Sequence, residues 1–302
     1  MIGQYLRMIR LHIVAGGILA FTLGAVLALV NGGSFDTLRF MVFYAMIFFG
    51  DLSTHFSNDY FDVNQDNLRT TKGIFSGSNI LVNNPQLRRS ARTISLALLF
   101  TSLLIAAATV ASGFAPLEFL LVAFAVNFLG WFYSAPPLRL VSHGLGEVAI
   151  ALAVGVGIPA AGYLSVMGCF DGLFGLLSLP FLLYGFMLAF SLEAPDVEVD
   201  RLGGKKTVGS VKGSLAVFGL CFAVAFAALV LFVIYALFFG GWAVDFWVFA
   251  AFAVCPVAAA TASLVGVHWQ KKVERLSLVN VFSLFLINLL IAVYLLAIQL
   301  PN

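Results

Sequence analysis

Runs of roughly 20 apolar residues, the length of helix that crosses a hydrocarbon core, occupy residues 12–31, 37–57, 94–112, 117–134, 146–168, 172–194, 213–239, 246–267 and 278–299. Their length and continuity predict helices, because a transmembrane barrel strand would instead alternate apolar and polar positions over about ten residues. The expected fold class is all-α: a polytopic membrane protein of nine transmembrane helices. The first run begins just after Arg7 and Arg10 and superficially resembles a signal peptide. It is too long for one and no small-residue cleavage site follows Val30, so it reads as a retained helix.

Composition agrees with a lipid-embedded chain: of 302 residues, 62% are hydrophobic and only 10% charged, against roughly 45–50% and about 25% in an ordinary soluble domain. The net charge of +2 argues for no nucleic-acid partner. The placing of the cations says more. Alternating the loops across nine spans gathers Arg7, Arg10, Arg69, Lys72, Arg88, Arg89, Arg92, Arg139, Arg201, Lys205, Lys206, Lys212, Lys271, Lys272 and Arg275 on one side and leaves only Arg39 on the other. The positive-inside rule makes the crowded side cytoplasmic, with the amino terminus inside and the carboxyl terminus outside. Cys169, Cys221 and Cys255 are odd in number and widely spaced, which matches neither a disulfide framework nor a metal motif.

The outer connections, near 32–36, 113–116, 169–171 and 240–245, are short turns with little room for chemistry. Two inner connections differ: Asp51 to Arg92 is long, and Glu193 to Lys212 is dense in charge. The expected organisation is one transmembrane domain over 1–302 with inner cap segments at 58–92, 133–146 and 193–212. The two charged connections stand four helices apart, as a duplicated four-helix unit would place them, although no sustained identity links the halves.

At the inner end of the second run the chain reads NDYFDVNQD, carrying Asn58, Asp59, Asp62 and Asp66. If the helix continues, the three aspartates fall at i, i+3 and i+7 and share one face. At the inner end of the sixth run, LEAPDVEVDRLGGKKT places Glu193, Asp196 and Asp200 at the same spacing. Like-charged carboxylates at helical spacing repel, and charges near a bilayer interior are costly, so a cation is expected between the stripes. All-oxygen ligands suit magnesium, which takes one or two carboxylates per ion and completes its shell with water and phosphate oxygens. The alternative is two solvated helix ends paired with neighbouring Lys and Arg. Arg69 and Lys72 follow the first stripe, and Arg201, Lys205 and Lys206 the second, where they can clamp diphosphate oxygens. A third inner segment, YSAPPLRLVSHGLGEV, leaves Tyr133, Ser134, Arg139, His143 and Glu147 near the same surface, because Pro136 and Pro137 end the helix. Tyr133 and Arg139 are candidates to hold phosphate or an acceptor oxygen, and Glu147 opens a run otherwise free of charge.

At these residues the chain resembles the UbiA superfamily of intramembrane aromatic prenyltransferases, which carry nine helices, an NDxxDxxxD segment after the second and a DxxxD segment after the sixth. Asn58 to Asp66 and Asp196 to Asp200 match those segments, and YSAPPLR falls where the family has it. The resemblance implies a central cavity opening to the cytoplasmic side. It implies two magnesium ions held by Asn58, Asp62, Asp66, Asp196 and Asp200 with Asp59 in support. Diphosphate would meet Arg69, Lys72, Tyr133, Lys205 and Lys206, and Arg10, Arg139 and Glu147 would face the cavity or the acceptor. DVEVDRLGGKKT and HGLGEV look like segments of the 1,4-dihydroxy-2-naphthoate prenyltransferases, which implies polyprenyl transfer, from geranylgeranyl diphosphate or longer, to that acceptor in menaquinone biosynthesis. Arg139 is closer to other branches, and Glu193 with Pro195 replaces an asparagine-rich stretch, which keeps 4-hydroxybenzoate and geranylgeranylglyceryl phosphate open as acceptors. An ion-coupled secondary transporter is the rival class. It needs charges at mid-span, whereas the charges read here lie at helix ends.

Overall fold

A side-chain cap bonds the start of four helices, those that follow Asp36, Asp171, Thr207 and Asp245. The computed structural model describes residues 2–68, 78–269 and 271–299, without the side chains of Ile2 and His12. Among the described residues there is no strand. In chain order the helices are α1 (Ile2–Met8), α2 (Leu11–Val30), α3 (Thr37–Phe61), α4 (Val63–Asp66), α5 (Ile80–Asn83), α6 (Arg88–Ala111), α7 (Leu117–Ser134), α8 (Gly146–Ile150), α9 (Ile158–Met167), α10 (Gly172–Glu193), α11 (Val197–Leu202), α12 (Val208–Lys212), α13 (Ser214–Phe238), α14 (Phe246–His268) and α15 (Val273–Gln299). Three of the outer turns end in an aspartate that caps the next helix. Asp36 accepts the Arg39 N–H ahead of α3, Asp171 that of Phe174 ahead of α10, and Asp245 that of Trp247 ahead of α14.

Among the described residues, eight helices are long and apolar enough to cross a membrane by length and composition. The expected run outside that set is α3. Its 25 residues equal α13 in length, but Arg39, Asp51, His55, Asn58 and Asp59 interrupt its apolar sequence. The fifth run is not a plain α-helix either: α8 and α9 are joined by a π-helical segment, Ala151–Gly157. Pro159 follows at once, and its missing N–H leaves the Gly155 carbonyl without its usual donor, a local reason for the wider turn.

Lipid is as apolar as leucine, so helices inside a bilayer associate by close packing and by hydrogen bonds rather than by the hydrophobic effect. Both occur here. A Cβ on Gly24 would stand 2.0 Å from the Pro159 carbonyl oxygen, and one on Gly162 1.9 Å from that of Phe21, so α2 and α9 cross backbone to backbone. The Ser102 hydroxyl of α6 donates to the Met46 carbonyl of α3 at 2.7 Å, and the Asn127 amide of α7 donates to Ser102 at 2.9 Å. On the other side Ser263 of α14 donates to Asn280 of α15 at 2.9 Å. One apolar cluster joins α2, α9, α10, α13, α14 and α15, and a second joins α2, α3, α6, α7 and α9. A smaller cluster, including Met8, Phe56, Val63, Ile80 and Leu87, fixes α1, α4 and α5 beneath the first charged connection.

Candidate active site

Where a straight helix was expected through Asp59, Asp62 and Asp66, the chain breaks. α3 ends at Phe61, Asp62 takes φ −94° and ψ 8°, and α4 starts again at Val63. The second motif is built alike: α10 ends at Glu193, a short 3-10 turn covers Ala194–Asp196, Asp196 takes φ −101° and ψ 3°, and α11 follows. Both aspartates therefore occupy the sparsely allowed bridge region of backbone space, common at active sites. Asp62 with Asp66 and Asp196 with Asp200 are equivalent i, i+4 pairs, each straddling a break between a long and a short helix.

The first carboxylate of each stripe leaves the set, which corrects the expectation of three aligned acids. Asp59 is buried and bonds Arg10 and the Ser78 hydroxyl. Glu193 accepts the Gly209 N–H at 2.9 Å, and beside it Glu147 accepts the Val208 N–H at 2.8 Å. These two carboxylates hold the amino end of α12, which Thr207 caps by accepting the Ser210 N–H. Their hold carries the adjoining loop to the site. Lys205 Nζ meets Asp62 Oδ2 at 2.9 Å and Thr207 Oγ1 meets Asp200 Oδ2 at 3.3 Å, while Ser210 ties back to the Lys205 carbonyl at 2.7 Å.

The two motifs meet directly: Gln65 Nε2, inside the first, donates to Asp200 Oδ1, inside the second, at 2.6 Å. Ser134 at the end of α7 donates to Asp62 at 3.2 Å. Gln65, Asp62, Asp200, Glu147, Glu193, Lys205 and Thr207 all border one cavity of about 360 Å³. Arg10, Asn58, Asp59, Asp62, Asp66, Tyr133, Glu147, Asp196, Asp200 and Lys205 form its polar end, and residues such as Ala20, Leu23, Ile47, Val126, Val154, Phe181 and Leu284 its apolar remainder. Two expected residues are not there. Arg139 and Lys206 are exposed and outside the cavity wall: Arg139 lies in the left-handed region at φ 40° in the turn after α7, and Lys206 points away while its neighbour Lys205 turns in. Arg69 and Lys72 lie outside the described residues.

The donor set suits a hard divalent cation. Four carboxylates and the Asn58 amide line one wall, and the Asn58 Oδ1 is buried without a hydrogen-bond partner, as an oxygen reserved for a cation would be. Among the described residues no three His, Cys, Asp or Glu side chains are gathered into a ready-made metal cage. Carboxylates spread around a wall, few per ion, are what magnesium uses when water and substrate phosphate complete its shell. Lys205 on Asp62 shows that this wall already attracts positive charge.

Sequence reasoning missed Gln65, Ser78, Thr207 and, above all, Asp51 and His55. The long inner connection was counted from Asp51, whereas α3 runs on to Phe61, so Asp51 lies well inside the helix. It lines the cavity with His55, whose Nε2 is 3.5 Å from Asp51 Oδ1. The signal was present: stepping back from Asp62 and Asn58 by helical intervals gives His55 and Asp51 on the same face. The statement that no charge lies at mid-span is thereby corrected.

The model of the UbiA prenyltransferase family matches residues 18–289. No curated protein sequence matches the chain. Solved structures share the fold over nearly the whole length. A UbiA homolog from Archaeoglobus fulgidus, bound to GPP and Mg2+, is 19% identical with a TM-score of 0.70, covering 98% of this chain and 99% of that one. An apo UbiA homolog from Aeropyrum pernix K1 is 16% identical with a TM-score of 0.68, covering 92% and 97%. A structure described as a digeranylgeranylglyceryl phosphate synthase in membranes is 17% identical with a TM-score of 0.66, covering 99% of each.

Proposed function

The chain belongs to the UbiA prenyltransferase family, and from that premise we propose that it transfers a polyprenyl group from its diphosphate to an aromatic acceptor, 1,4-dihydroxy-2-naphthoate first among them, with magnesium at the two aspartate pairs. The observation that carries this reading is the junction of the motifs, Gln65 to Asp200 at 2.6 Å and Lys205 to Asp62 at 2.9 Å, around one cavity that is acidic at one end and apolar beyond. A UbiA homolog of the same fold binds GPP and Mg2+. The acceptor assignment draws on DVEVDRLGGKKT and HGLGEV.

Asn58, Asp62, Asp66, Asp196 and Asp200 hold two magnesium ions in this reading, with Asp59 in support. Magnesium bound there supplies neutralisation of the charge that grows on the departing diphosphate. Lys205 stands on Asp62 and is placed to donate to a phosphate oxygen bound beside it. Tyr133 and Ser134 offer hydroxyls to the same anion from the end of α7, and the preorganised donors pay no reorganisation cost as the carbon–oxygen bond breaks. Arg69 and Lys72 complete the clamp. The apolar wall keeps water from the allylic carbon, so that an electron-rich ring carbon of the acceptor forms the new bond and the ring regains aromaticity by releasing a proton or, at a carboxyl-bearing carbon, carbon dioxide. The site faces the cytoplasm, by the distribution of Lys and Arg, in an integral membrane protein with its amino terminus inside.

Purified protein is incubated with geranylgeranyl and longer diphosphates and with dihydroxynaphthoate, hydroxybenzoate or geranylgeranylglyceryl phosphate, in magnesium or EDTA. Prenylated naphthoquinol in magnesium alone is the expected product. Prenylated glyceryl phosphate alone moves the protein to ether-lipid synthesis, a reading favoured by the likeness to the digeranylgeranylglyceryl phosphate synthase.

A further inference from the structure

Asp51 is a carboxylate in the middle of α3, fourteen residues after Thr37 and ten before Phe61, and α3 packs in one apolar cluster with the long helices α2, α6 and α7 and with α9. A charge at such a depth persists only where it faces a polar cavity or a partner, and by default it marks function. Its side chain is 23% exposed, and that exposed surface belongs to the cavity wall. Behind it His55 is almost fully buried, 3.5 Å from Asp51, and its Nε2 has no hydrogen-bond partner. Across the cavity wall Gly17 of α2 leaves room in front of the carboxylate: a Cβ there would stand 3.8 Å from Asp51 Oδ2. Among the described residues, the Lys and Arg side chains that line this cavity, Arg10 and Lys205, are engaged by Asp59 and Asp62. Asp51 has His55 beside it at 3.5 Å and faces the cavity.

Eleven residues separate Asp51 from Asp62, which at 1.5 Å per residue is about 16 Å along the helix axis. An anion held at Asp62 and a group bonded to Asp51 are therefore different parts of the bound substrates. An isoprenoid chain has no donor to offer and a carboxylate repels anions, so the group that suits Asp51 is a neutral hydrogen-bond donor.

We propose that Asp51, with His55 beside it at 3.5 Å, forms a second substrate subsite that accepts a hydrogen bond from a hydroxyl of the prenyl acceptor. The proposal rests on the prenyl-transfer reading and adds to it the chemistry at the inner end of the cavity. The acceptor enters with its uncharged hydroxyl foremost, and any carboxylate or phosphate it carries stays toward the rim with Arg10 and Lys205.

The test compares 1,4-dihydroxy-2-naphthoate with its dimethyl ether, first by equilibrium binding to the full-length protein in detergent and then as acceptors in turnover. Wild type is expected to bind the dihydroxy compound at least about tenfold more tightly, the scale of a hydrogen bond to a charged group. Asp51→Asn and Asp51→Ala are expected to erase most of that preference and to raise the acceptor KM about tenfold, with the affinity for geranylgeranyl diphosphate and magnesium held within about twofold. His55→Gln, a positioning change, is expected to raise the acceptor KM by a smaller factor in the same direction. Wild-type protein that binds both compounds equally, or Asp51 variants that keep the preference, overturn the proposal. Because the ether comparison is made on wild type, a variant that fails to fold does not shield it. Absence of prenyl transfer to any acceptor sinks the functional reading instead, and the binding arm still decides the subsite.

Discussion

Asp59 and Lys205 show how one residue's role depends on what the fold brings to it. Asp59 is 2% exposed and its charge is compensated by Arg10, so removing the guanidinium strands a buried carboxylate. Arg10→Ala is expected to cost about 3–5 kcal/mol, the usual penalty for breaking a buried pair, read as a lower midpoint of thermal unfolding in detergent. Arg10→Ala combined with Asp59→Asn should lose less than the sum of the two single changes, since the stranded charge is gone. Lys205 has the opposite character: it sits at the cavity on Asp62 and is expected to serve substrate rather than stability. Lys205→Met should raise the KM for prenyl diphosphate by about tenfold or more, the scale of one charge-assisted hydrogen bond, and leave the unfolding midpoint close to wild type. Asp62→Ala and Asp196→Ala should abolish turnover while the folded protein remains extractable. Retained activity in both would refute the metal assignment.

Among the elements, the crossing of α2 with α9 and the clasp on α12 matter most for the site. Gly162→Ala places a methyl 1.9 Å from the Phe21 carbonyl oxygen, and because backbone faces backbone no side chain can turn aside. Overpacking of this kind typically costs about 1–3 kcal/mol, and this position belongs at the upper end. Gly219→Ala in α13, where nothing lies within 4 Å of the new methyl, should be neutral or stabilising. The comparison of the two midpoints checks the argument. At the clasp, Glu193→Ala releases the Gly209 N–H and loosens the loop that presents Lys205 and Thr207. The expected outcome is a raised KM for prenyl diphosphate and an unaltered KM for the acceptor, a split that general loss of folding would not produce.

At the level of the whole molecule, two helical clusters share α2 and α9 and enclose a cavity whose acidic end closes only when both aspartate motifs are in place. Ligand that bridges them should therefore stabilise the fold by mass action. Magnesium with geranylgeranyl diphosphate is expected to raise the unfolding midpoint more than either alone, and EDTA to reverse the shift. The amino-acid order by itself determined the all-helical class, the approximate position of each apolar run and the two acid-rich segments, since apolar length and polar spacing are local properties of the chain. It also singled out Glu147, a lone acid opening an apolar run, which the fold places on the cavity wall and bonds to the Val208 N–H. What it did not determine was direction and partnership. Whether α3 continued straight, whether Lys205 or Lys206 faced inward, where Arg139 pointed and which carboxylates served as clasps depended on backbone breaks at Asp62 and Asp196 and on loops packed against other helices. Asp51 was hidden for the same reason: a carboxylate in an apolar helix reads as a loop boundary until the tertiary structure sets an empty-sided glycine and a cavity in front of it.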